Sequence, residues 1–131
     1  MNRIKRLAGA GLVMAALVVA APIIPSAMAQ GGGVKTTGPC SVSAKWSLKL
    51  SPEDGGKLQT QFEVDDAKAG STWSIKITDN GTRIFSGSRT ANSLGEAKVS
   101  VTSPDQAGQD AVKATATNTA TGEVCSGSAT L

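Results

Sequence analysis

Cys40 and Cys125 are the only thiols in this 131-residue chain, and it contains no histidine. Without an imidazole, a serine lacks its usual general base and a zinc site lacks its commonest nitrogen ligand. No serine sits in a G-x-S-x-G elbow, and Gly55-Gly56 reads as a hairpin turn and not as a phosphate loop. The thiols can pair instead, given an oxidising compartment. A Cys40–Cys125 bridge would close nearly the whole domain into one loop, worth about 4 to 5 kcal/mol by chain entropy. The remaining reactive groups are carboxylates. Glu53-Asp54 and Asp65-Asp66 are adjacent pairs in turn-like segments, where neighbours diverge and do not straddle a bond as a glycosidase pair must. Asp79-Asn80-Gly81 lacks the spaced ligands and terminal Glu of an EF-hand loop. Asn80-Gly81-Thr82 matches a glycosylation acceptor, but the bacterial-type leader argues against modification. The expectation is a protein that is not an enzyme and has no cofactor and no assigned metal.

The elements that would position these groups begin with a leader. Arg3, Lys5 and Arg6 precede an apolar run from Leu7 to Ala21, and Ala27-Met28-Ala29 has the form of a cleavage site. Residues 1–29 therefore read as a signal peptide, with secretion following cleavage near Ala29. No later apolar run is long enough to span a membrane. The chain carries 13 Lys/Arg against 10 Asp/Glu. Three of the basic residues fall in the leader, so the mature chain is formally neutral, which removes the electrostatic case for a nucleic-acid partner.

Residues 30–39, rich in glycine and without periodicity, read as a flexible leader. From Cys40 the period is two. "CSVSAKWSLKL" places Cys40, Val42, Ala44, Trp46, Leu48 and Leu50 on one face. "KLQTQFEV" turns Leu58, Phe62 and Val64 inward, and "STWSIKIT" does so for Trp73, Ile75 and Ile77. "TRIFSGS", "LGEAKVSVT", "DAVKATAT" and "EVCSGSATL" complete about seven strands with no helical stripe. The spacing predicts an all-β antiparallel sandwich over residues 40–131. Both cysteines fall near strand starts on inward parity, so a bridge makes the first and last strands parallel, side by side or across the sandwich. The small inward residues Ala114, Ala116, Gly127 and Ala129 suit interdigitation with Trp46 and Trp73.

Trp73 on the third strand resembles the core tryptophan of immunoglobulin-like domains. The pattern "WSLKL…FEVD…G-x-x-W-x-I…NG…GEVC" resembles small secreted bacterial immunoglobulin-like β-sandwich proteins across residues 40–131. The bridge departs from the immunoglobulin pattern, which joins the second and sixth strands, and with no tyrosine there is no tyrosine corner. The resemblance implies the fold and supplies no activity.

Asn80-Gly81 is a strong type I′ hairpin signal. A two-residue turn sets Ile77 opposite Ile84 and leaves Phe85 outward near Lys76. A three-residue turn reverses the two, unless the strand bends and buries both. Phe85, Arg83, Lys76 and Ile84 are therefore the candidate contact residues. In an up-and-down reading Glu53, Asp54, Asp79, Asp105 and Asp110 share one end, where they would serve as solvated turn formers or converge on calcium. The function expected is a non-catalytic secreted binding module for an extracellular or envelope protein, acting through strand edges and end loops. An inhibitor presenting "SPEDGGK" or "SPDQAGQD", and a small-ligand carrier, are the alternatives.

Overall fold

The computed structural model describes residues 27–30, through their backbone, and residues 32–131. The expected signal peptide lies outside the described residues apart from Ala27–Ala29. The described strands are β1 (Ala27–Gln30), β2 (Gly33–Pro39), β3 (Lys45–Glu53), β4 (Lys57–Asp65), β5 (Thr72–Asp79), β6 (Thr82–Thr90), β7 (Ala97–Pro104), β8 (Ala111–Asn118) and β9 (Val124–Thr130). They form two sheets in which every ladder is antiparallel. One has the order β9-β8-β5-β6. The other has the order β2-β3-β4-β7, with the short β1 added at its β2 edge.

The alternating residues supply the core between the sheets. Leu48, Leu50, Leu58, Phe62 and Val64 from one sheet meet Trp73, Ile75, Ile77, Val112, Ala114 and Ala116 from the other, all fully buried. Each large apolar side chain so buried contributes about 1.5 to 3 kcal/mol. The polar residues between them (Lys45, Lys98, Ser100 and Lys113) face water and give the strands their two-sided character. Large meets small across the layer: a Cβ at Gly127 would fall 2.5 Å from the Trp46 ring, so the ring fills the space over that glycine.

Two expectations require correction. Residues 33–39 are not a flexible leader: they form β2, which pairs with β3 from Val34↔Leu50 to Pro39↔Lys45. Glycine there has a packing role, since Gly38 lies opposite Trp46 and a Cβ on it would come within 2.8 Å of the indole. The first alternating strand begins at Lys45 and not at Cys40, because residues 41–43 turn, and Val42 consequently stands outward at 77% exposure. Of the two parallel arrangements open to the first and last alternating strands, the fold takes the one across the sandwich. β3 and β9 lie in opposite sheets, where the contacts of Ser43 with Glu123 and of Trp46 with Gly127 set them running the same way across the sandwich. At the Asn-Gly hairpin the strand takes the bent alternative, which partly buries both apolar residues. Asn80 (φ 49°) and Gly81 (φ 85°) make the two-residue turn, with Asp79 opposite Thr82. A bulge then inserts Ile84, so that Ile77 faces Phe85. Both apolar residues end half-buried against the core.

The Cys40–Cys125 disulfide forms as expected, across a sequence separation of 85. It joins the β2–β3 turn to the start of β9 and so ties the two sheets at one margin. Thr36 Oγ1 donates to Ser128 O at 2.9 Å, and Ser41 N donates to Val124 O at 2.8 Å along the same margin.

Candidate contact surface and acidic end

Phe85, whose side the sequence left open between an outward and an inward register, lies inward. The bulge carries Phe85, Gly87 and Arg89 onto the inward face of edge strand β6, opposite Ile77, Ile75 and Trp73. The phenyl ring lies along the bare Gly87, and the Arg89 guanidinium caps it at 4.9 Å from the centroid. Lys76 and Arg83 remain exposed but do not flank a free aromatic.

The turns after β2, β4, β6 and β8 gather at one end of the sandwich, termed here the clasped end. The 40–44 turn is held by the disulfide and by Glu123, whose Oε2 accepts from Val42 N, Ser43 N and Ala44 N at 3.1, 2.8 and 2.9 Å. Burial pushes the Glu123 carboxyl up, but the three N–H groups outweigh it, and its pKa lies below the ordinary carboxylate value. Ser41 Oγ also accepts from Val124 N. The loops after β4 and β6 are laced together by Ala67 N to Gly95 O, Gly70 N to Ala91 O and Ala91 N to Ser71 O. Gly95 has φ 78°, and a Cβ there would fall 2.4 Å from Ala67 O, so the lacing requires glycine. Asn92 Oδ1 accepts from Leu94 N and Glu96 N, and Asn118 Oδ1 accepts from Ala120 N and Thr121 N. These fixed loops present Val42 and Leu94 at 77% and 76% exposure. Val42 borders a groove floored by Ala67, Ala69 and Ala120.

The opposite end is acidic. Of the five carboxylates considered for calcium, Asp79 and Asp105 each adjoin Asp110, but the three do not each bring an oxygen within 4.8 Å of the others. Asp79 is fully buried at the end of β5 and Asp110 is buried ahead of β8, while Asp105 is exposed on the loop between β7 and β8. That loop is pinned to the hairpin: Gln106 Nε2 donates to Asp79 O, and Asn80 Nδ2 donates to Gln106 Oε1 and Gln109 O. Asn80 Oδ1 accepts from Ala111 N, so the amide matched to a glycosylation signal is engaged at both of its polar atoms. Burial, then the neighbouring carboxylates of Asp110 and Asp105, raise the Asp79 pKa to about 6. The Asp105 carboxyl is raised as well, by its contact with Asp110. Glu53 and Asp54 line a separate depression with Pro52, although their hairpin touches the acidic loop through Asp105 N to Gly56 O.

A second acidic group lies on the outer face of the β4–β7 pair, where oxygens of Glu63, Asp65 and Glu96 approach within 4.8 Å of one another. Burial and Asp65 raise Glu63 to about 7, against the pull of Lys98. Lys98 already lies beside this group, with Nζ 3.8 Å from Glu96 Oε1.

The outward parity of Val42 and the acceptor role of Glu123 were missed in the sequence. Glu123 shares parity with Cys125 and Gly127, and Asp79 with Trp73, Ile75 and Ile77, which was the available sign that both carboxylates point inward. Among the described residues no helix is long and apolar enough to cross a membrane. Comparison with protein-family models, curated proteins and solved structures found no match.

Proposed function

We propose that the protein is exported and works as a non-catalytic module that binds an extracellular or envelope protein through its clasped end. The observation that carries this reading is the anchoring of Val42. A turn whose tip side chain is 77% exposed is held by a disulfide and by three N–H bonds to one carboxylate. Such anchoring fixes the loop before a partner arrives and lowers the entropy lost on binding. Leu94 stands on a loop held in the same manner, giving two apolar contacts on a rigid frame.

The strand edges are less suited to the task. Backbone groups near the start of β9 bond to Ser41, and Ser128 O accepts from Thr36, while β6 is interrupted by its bulge. An immunoglobulin-like assignment is supported by the order β3-β4-β7 against β6-β5-β8-β9, with loops collected at the two ends. The disulfide accords with an oxidising compartment and so supports export.

Cross-linking of the oxidised protein to its producing cells and their spent medium tests the proposal. The wild type should capture one saturable protein partner. Val42→Asp and Leu94→Asp should each weaken capture about tenfold or more, as for residues central to an interface. Asp105→Asn, at the far end, should leave capture unchanged. Equal capture by all variants would move the contact elsewhere, and no saturable partner would end the reading.

A further inference from the structure

Strand β1 lies along the outer edge of β2, pairing from Ala27↔Thr36 to Gln30↔Gly33. The expected cleavage after Ala29 falls inside this strand and removes all of it but Gln30. An exported chain therefore presents the β2 edge bare over residues 33–36, whereas the edge of β9 is engaged near its start and that of β6 is bulged. Pro39, which has no N–H, closes the far end of the strand. Beside this edge Lys35 stands directly opposite Lys49 on the outer face, and the row continues through Gln61 to Ser100. These four residues line a depression of about 240 Å³. Glu63 shares the depression but lies in the next row, opposite Lys98. Like charges set directly opposite are destabilising. Neither Lys35 nor Lys49 is relieved, because the ion pairs among the described residues are Lys45–Asp66 and Lys98–Glu96, and residues 1–29 contain no Asp or Glu.

We propose that the bared β2 edge accepts an extended acidic segment of a partner protein, which adds a strand where β1 lay and sets a carboxylate beside Lys35 and Lys49. The proposal rests on the export reading and concerns a second surface, distinct from the Val42 turn. Two features select this occupant. The β1 ladder gives the edge the geometry to take a strand in antiparallel register, and strand addition of this kind draws its affinity from main-chain bonds. The lysine pair supplies the charge preference, since β1 itself offers at the position opposite Lys35 only Met28, which carries no charge. A second copy of the chain fits less well: β2 paired with β2 would bring Lys35 and Lys49 of both copies onto one face.

The oxidised chain beginning at Gln30, titrated with a short peptide alternating threonine and glutamate, tests the edge through the NMR shifts of the amides of residues 33–36. Binding should be saturable, and about tenfold or more weaker to the full chain, whose β1 must first be displaced. The same peptide with glutamine in place of glutamate should bind about threefold more weakly. Lys35→Gln should erase the difference between the two peptides, and Val42→Asp should leave both unchanged. Should the shorter chain fail to fold, the full chain with Met28→Glu decides: a carboxylate opposite Lys35 should raise Tm by about 2 °C or more, and Lys35→Gln should cancel the rise. Equal binding to the full and shorter chains, or equal binding of both peptides, would overturn the proposal, as would self-association of the shorter chain without peptide binding. The N-terminus of protein recovered from the producing cells separates this failure from that of the export reading. Absence of the protein outside the cytoplasm ends that reading and this one with it, whereas exported protein still carrying Ala27–Ala29 keeps that reading and overturns this one.

Discussion

Two carboxylates are buried at opposite ends of one sandwich, and their surroundings drive them in opposite directions. Glu123 meets three backbone N–H groups and is held as an anion, its pKa below the ordinary 4.5. Asp79 meets other carboxylates and is raised from 3.8 to about 6. Burial disfavours charge in both, so depth does not decide the outcome. The decision lies with what each side chain finds within hydrogen-bonding reach. The clasped end uses its carboxylate to hold a loop, and the acidic end sets one carboxyl against another.

Breaking the clasped end should have the largest effect. Replacing both cysteines, Cys40→Ser with Cys125→Ser, releases the loop closed by the bridge and should lower stability by about 4 to 5 kcal/mol in denaturant unfolding. Glu123→Ala leaves three N–H groups without their acceptor and should cost about 3 kcal/mol by the same measurement. Asp79→Asn should act with the opposite sign, raising stability by about 2 kcal/mol at neutral pH, because an amide can donate to Asp110 and carries no charge.

The two ends also predict opposite pH dependences. Asp79 has a folded pKa above its unfolded value, so its protonation stabilises the fold fully below about 3.8 and that contribution fades as pH rises through about 6. Glu123, with a lowered pKa, stabilises the fold above about 4.5 and loses this as pH falls further. Glu63, raised to about 7, acts in the same direction as Asp79. The wild type should therefore be most stable near about pH 4 and should decline from there to about pH 7. Asp79→Asn should flatten the decline between about pH 4 and 6, with Glu63→Gln removing the remainder up to about pH 7. The smallest effect is expected from Val42→Asp, within about 0.5 kcal/mol of wild-type stability, because the side chain is exposed. A large loss there would make the turn part of the core and remove its role as a displayed contact.

Strands β3 to β9 were legible because alternating residues leave little freedom about which face is buried, and Asn80-Gly81 because few sequences tolerate two successive positive φ values. The segment 33–39 was not legible. Its glycines and proline lower strand propensity, and its pairing depends on Trp46, a neighbour that lies opposite only after folding. Alternation also fails to mark where a strand starts, and so Val42 was assigned the parity of Ala44. The bulge at Ile84 resets parity in mid-strand without any sequence mark of its own. The three carboxylates of the acidic end could be assigned to one end from turn order alone, but their separation from Glu53 and Asp54 depends on how the 105–110 loop folds back on Asn80.

The inserted Ile84 has a further consequence for behaviour at high concentration. β6 is an outermost strand, and a straight, apolar outermost strand offers a template on which a second copy can grow. The extra residue breaks the even spacing of β6 within three residues of its start, and Arg83 and Arg89 set charge on both sides of the break. A copy of the chain approaching in register along one half of β6 would be out of register along the other. The kink that hides Phe85 thereby also guards a dense solution of the protein against fibre growth from this side.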